Sequence, residues 1–141
     1  MAEPPKAFYD ALRFIYPQWL PEAVDTNYRS LTPALFKKHF DQLSRKYGFT
    51  IRPSQPMLTE LAYYLLSDTS KTNDVIGFLE MLKEDYPPDF KLYDTLGDCF
   101  ARKGDTENAI SNYRAALVLD PQSRQTQEKL KALNTPRKKA L

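Results

Sequence analysis

The sequence predicts an all-α fold, built of helical hairpins stacked as a short α-solenoid, with helices ahead of them and a capping helix behind. Three observations predict it. Apolar residues recur at helical spacing through most of the chain. The segment Phe90–Ser123 carries two such faces joined by a glycine turn. A fainter copy of that pattern precedes it at the same period.

The clear unit comes first. Tyr93, Leu96, Gly97 and Phe100 stand at i, i+3, i+4 and i+7, one face of a helix. Ala109, Tyr113 and Ala116 do the same on a second helix. Gly97 and Ala109 are small, so the two helices can approach closely where they cross. Tyr93, Phe100 and Tyr113 fill the space around that crossing. Between the helices, Lys103-Gly104-Asp105 makes a turn: Gly104 suits a helix C-terminus, and either Asp105 or Thr106 can cap the next helix. Pro121 cannot continue a helix interior and closes the unit. This order of aromatic, Leu-Gly, aromatic, small residue, aromatic and proline resembles the tetratricopeptide (TPR) repeat, a helical hairpin of ~34 residues.

The fainter copy has Val75, Leu79, Leu82 and Pro87 in the places of Ala109, Tyr113, Ala116 and Pro121. With a shift of one, Leu61, Ala62 and Leu65 match Leu96, Gly97 and Phe100, and the turn Asp68–Asn73 is longer by one residue. After Pro121, Arg124–Asn134 reads as one more helix, apolar only at Leu130 and Leu133, as suits a terminal cap. Three parts follow: an N-terminal helical segment at 1–55, two hairpins and a cap at 56–134, and a basic tail at 135–141. The tail's Arg137-Lys138-Lys139 is expected to be a solvated terminus. Two repeats are few to bury a continuous core, so the N-terminal third is expected to cover the open end.

In that third, Phe8, Ala11, Leu12 and Ile15 predict a short helix over 6–16, interrupted at Pro17 and Pro21. A second helix is well marked: Thr32 can cap it, Pro33 suits its first turn, and Gly48 can end it. Its apolar face is Phe36, Phe40, Leu43 and Tyr47, and the stretch Phe49–Pro53 beyond it should be extended. Phe8, Tyr9, Phe14, Tyr16, Trp19 and Leu20 form a candidate interface: they either pack on the first repeat or meet a partner domain or second chain.

Composition excludes several function classes. A hydrophobic fraction of 42% and a charged fraction of 27% argue against wholesale disorder. A net charge of +2 creates no field that points to nucleic acid or membrane. No apolar run approaches the ~18 residues of a membrane span. The opening Met1–Lys6 lacks the order of a signal peptide. The lone Cys99 cannot form an intrachain disulfide, and the compartment stays open between cytoplasm and periplasm. No Gly-x-Ser-x-Gly elbow, phosphate-cradling glycine loop or metal-ligand spacing occurs, so neither cofactor nor catalytic residue is expected. The one histidine, His39, should be half-buried with a hydrogen-bond partner. Cys99 should be a buried structural cysteine.

TPR hairpins commonly hold a peptide or helix against their first helices. The residues expected to face such a groove are Lys91, Asp94, Asp98, Ala101 and Arg102 on the clear repeat, and Thr59, Tyr63 and Ser67 on the faint one. Asp94 and Asp98 would repel a carboxylate, which disfavours the chaperone C-terminus as a ligand. Plain solvation of both aspartates is the other reading.

A wider resemblance joins these segments. Phe8–Tyr16, then Trp19, then a helix carrying Lys38-His39-Phe40, then Tyr47-Gly48-Phe49 and a TPR-like pair resembles the C-terminal region of bacterial serine esterases. These are α/β-hydrolases related to esterase D and to the siderophore (enterochelin) esterases. The resemblance implies that the catalytic serine, acid and histidine lie upstream of the matching region, so none is carried over here; His39 matches a helix position. It also implies a piece of an esterase-like protein, or a relative without the hydrolase half. The expected function is therefore a non-catalytic helical accessory module that mediates docking or self-association. Its expected partner is an esterase catalytic domain or a second copy in a homodimer. The alternative is a free-standing adaptor that binds a peptide in its groove.

Overall fold

The computed structural model describes residues 30–134, and the prediction for residues 6–16, the aromatics Phe8–Leu20 and the basic tail lie outside them. Among the described residues the fold is all-helical: six α-helices, one 3-10 turn and no strand. The chain divides into two compact units between Met57 and Leu58, inside the helix Gln55–Leu65.

In the first unit, α1 spans Pro33–Tyr47. Thr32 is extended and its hydroxyl accepts the Leu35 N–H at 3.2 Å, satisfying an orphan donor of the first turn. Gly48 stops the helix with a φ of 76°, and its N–H returns to the Ser44 carbonyl. Phe36, Phe40 and Leu43 are buried, with Leu31 ahead of them. Tyr47 departs from the expected apolar face. It is 47% exposed, because the helix ends there and the chain turns away at Gly48. Beyond it, Phe49–Pro53 forms neither helix nor strand. It is tied back by Ser44, whose hydroxyl donates to the Phe40 carbonyl and accepts the Ile51 N–H at 2.8 Å.

The second unit begins within α2 (Gln55–Leu65), which buries Leu58, Leu61, Ala62 and Leu65. The turn after it holds a 3-10 segment at Thr69–Lys71, because the Asp68 carboxylate accepts the Ser70 N–H and the Thr72 hydroxyl donates to the Thr69 carbonyl. Helix α3 (Thr72–Asp85) buries Val75, Phe78, Leu79 and Leu82. Each such side chain withdrawn from water contributes roughly 1.5–3 kcal/mol before entropy is charged.

Helix α4 (Phe90–Arg102) starts at Asp89, whose carboxylate accepts the Leu92 N–H at 2.8 Å. It buries Leu92, Thr95, Leu96, Gly97 and Cys99. Gly104 then adopts a φ of 78°, which lets α5 (Thr106–Leu119) fold straight back. Of the two candidate caps, Asp105 serves: its carboxylate accepts the Asn108 N–H at 3.2 Å. Helix α5 buries Ala109, Tyr113 and Ala116. The α4/α5 pair is the most closely packed, with α3 against α4 and α6 (Arg124–Asn134) against α5.

Candidate functional site

At the close α4/α5 crossing, Ala109 is fully buried and Gly97 leaves room for a ring. The ring of Tyr113 lies against Gly97, so that even a Cβ there would fall 2.5 Å from Tyr113 Cδ1. The ring is 2% exposed, and its hydroxyl donates to Asp98 Oδ1 at 2.7 Å. Burial first, and then the Asp98 carboxylate, push the Tyr113 phenol far above its ordinary value.

Asp98 is also where α6 docks. Lys129 Nζ lies 2.8 Å from both the Asp94 and the Asp98 carboxylates. The Thr126 hydroxyl donates to Asp94 Oδ1 at 2.7 Å, and Lys129 sits 5.6 Å from the centre of the Tyr113 ring. Burial pulls the Lys129 ammonium down, but hydrogen bonds to Asp94 and Asp98 and their charges outweigh it, and its affinity for the proton is raised. Thr126 is the one fully buried side chain of α6. Leu130 and Leu133, the residues the spacing singled out, are only half-buried.

The predicted groove residues therefore fall into two groups. Asp94 and Asp98 are neither free nor merely solvated; they form a clamp on α6. The others lie along α2 and α4. Lys91 is exposed, with its ammonium 4.5 Å above the centre of the Tyr63 ring. The Tyr63 hydroxyl meets the Thr95 hydroxyl at 3.3 Å, and Arg102 donates to the Leu66 carbonyl at 3.1 Å. Thr59 is half-buried four residues before Tyr63 on α2. Ser67 is exposed just past the end of α2, and Ala101 is half-buried on α4. The interface candidates Phe8, Tyr9, Phe14, Tyr16, Trp19 and Leu20 lie outside the described residues.

Thr126 and Lys129 escaped the sequence reading. The signal for them was two carboxylates one helical turn apart, facing a Thr-x-x-Lys spacing on the last helix. Only a known helix order brings those two patterns together.

The remaining chemistry is sparse. His39 is half-buried and forms a T-shaped pair with the Phe40 ring, 5.8 Å between centres. Cys99 is buried, and that burial raises its thiol, with Arg102 pulling the other way and Asp98 adding to the rise. Among the described residues no group of three or more His, Cys, Asp or Glu side chains could hold a metal ion, and no helix is long and apolar enough to cross a membrane. An open depression of about 660 Å3 is lined by Thr106, Glu107, Ile110, Ser111 and Arg114 of α5. No family model, curated protein or solved structure matches the chain.

Proposed function

We propose that this chain is a non-catalytic interaction module of TPR type, which serves an esterase-like protein by docking onto its hydrolase domain or by self-association. The observation that carries the proposal is the pairing of α2 with α4. They meet through Lys91 over Tyr63, Tyr63 on Thr95 and Arg102 on the Leu66 carbonyl, and on the TPR reading they would be the first helices of two successive hairpins. On that reading Lys91, Tyr63 and Arg102 would offer a partner a polar and aromatic strip, Lys91 and Arg102 being exposed and Tyr63 half-buried. The close Gly97–Tyr113 crossing supports the TPR reading, and the order of segments described above supports the esterase connection.

The test is binding between the chain and a purified hydrolase domain from that esterase family, read by calorimetry. Binding that weakens when Lys91→Glu and Arg102→Glu reverse the strip's charge supports the docking role. Absence of binding, together with a monomer by light scattering at every concentration, would remove both docking and self-association. Turnover of a simple ester by the pure chain would remove the non-catalytic assignment. The groove-binding adaptor is favoured by the same strip, and a peptide whose capture depends on Tyr63 and Lys91 would select it.

A further inference from the structure

We infer that α6 is a releasable strap, held over Asp94 and Asp98 by a charge clamp centred on Lys129 and not by an apolar seam. The contrast between helices motivates this. Helix α4 buries five residues and α3 buries Thr72, Val75, Phe78, Leu79 and Leu82, whereas α6 buries Thr126 alone. Leu130 and Leu133 are half-buried, and the contacts that tie α6 to α4 are polar: Thr126 on Asp94, and one ammonium shared between two carboxylates. Near its start, Gln127 adds a side-chain bond to the Pro121 carbonyl, and Ser123 one to Thr126.

A helix held this way is sensitive to charge where its neighbours are not. Apolar burial does not depend on charge, but removing the Lys129 charge turns an attraction into a repulsion. Asp94 and Asp98 sit one turn apart on α4, where like charges destabilise each other. Any event that neutralises Lys129 would leave two carboxylates facing the Thr126 end of α6 with only one hydroxyl between them. The side chain of Lys129 is 22% exposed, so it is within reach of solvent. Release would proceed by local unfolding of one helix that buries few side chains, a class of motion that costs less than global unfolding.

The consequence rests on the groove reading: the strap covers Asp94 and Asp98, two of the eight residues expected to line the groove, and leaving would uncover an acidic strip suited to a cationic segment. The release itself does not depend on that reading.

Hydrogen exchange on the full chain tests the strap. In the parent protein the amides of 124–134 should exchange faster than those of α4 and α5. In Lys129→Gln they should exchange about tenfold faster again or more, the loss expected for charge-assisted hydrogen bonds, with α4 and α5 unchanged. Lys129→Arg should keep most of the protection, and Leu130→Ala should loosen α6 less than Lys129→Gln does. The inference is overturned if α6 exchanges in step with α4 and α5, if Lys129→Gln leaves its protection intact, or if Leu130→Ala has the larger effect. None of these readouts involves a ligand, so the strap and the groove can fail separately.

Discussion

Tyr113 occupies the space that any side chain at position 97 would need. A Cβ on Gly97 would lie 2.5 Å from Cδ1 of that ring, and the ring cannot retreat, because its hydroxyl is anchored on Asp98. Gly97 is thus required for contact and not for backbone freedom, since it sits in an ordinary helical turn of α4. Gly97→Ala should destabilise the chain by about 1–3 kcal/mol through overpacking, even though alanine is the better helix former. Urea unfolding measures it. The cost should shrink when Tyr113 is replaced by leucine in the same chain, because the two residues share one space and their effects cannot add.

The α4/α5 pair was legible for the same reason: a glycine and a tyrosine in a spaced pattern encode a contact that is local in sequence. The ends of α1 were equally legible, since Thr32, Pro33 and Gly48 act on their nearest neighbours. The 3-10 segment at Thr69–Lys71 was not, because it depends on which of several Asp, Ser and Thr side chains wins the local hydrogen bonds. The clamp was hardest to read. Asp94 and Asp98 looked like solvent-facing groove residues until α6 brought Thr126 and Lys129 to them from more than thirty residues away.

Thr126 and Lys129 converge on Asp94, so their substitutions should not be additive. Thr126→Val keeps the shape and removes one hydrogen bond to a charged group, a loss of about 1.5–3 kcal/mol in the docking of α6. Lys129→Met removes the other partner. The double variant should cost less than the two singles together, since the second change acts on a helix already loosened. Helicity and amide protection of residues 124–134 report the docking. Full additivity would mean that the two contacts hold α6 independently.

The clamp should weaken in alkali. The folded-state proton affinity of Lys129 is raised, so its stabilisation is complete below the ordinary lysine value of 10.5 and fades as pH rises through the higher folded value. The Tyr113 phenol is raised as well, and its contribution is lost on the same side, above the ordinary tyrosine value of 10.0. Parent and Lys129→Met proteins should therefore differ most in urea midpoint near neutral pH and converge above 10.5, with the residual alkaline loss in the variant coming from Tyr113. A difference that stays constant to pH 12 would assign Lys129 a packing role alone.

Cys99 should be inert in the native protein. It is fully buried on α4, and burial lifts its thiol away from the thiolate that alkylating reagents require. Labelling with iodoacetamide at neutral pH should be negligible until denaturant opens the helix pair, and the labelling transition should then overlay the loss of helicity. Rapid native labelling would mean that α4 opens locally, well below the energy of global unfolding.

Asp105 joins the two helices of the closest pair, and its carboxylate carries the cap of α5. The side chain and backbone N–H groups of Asn108 both bond to it and hold its proton affinity below the ordinary value of 3.8. A depressed carboxylate contributes above its unfolded value, and that contribution is lost as pH falls through the folded one. Asp105→Ala should lower the urea midpoint at pH 7, while Asp105→Asn should retain most of the stability, because asparagine caps as well as aspartate does. Below pH 3.8 the parent's advantage over the alanine variant should decline as the carboxyl takes up its proton. If the asparagine variant instead fell as far as the alanine one, the charge at the start of α5, and not the cap hydrogen bond, would be what Asp105 supplies.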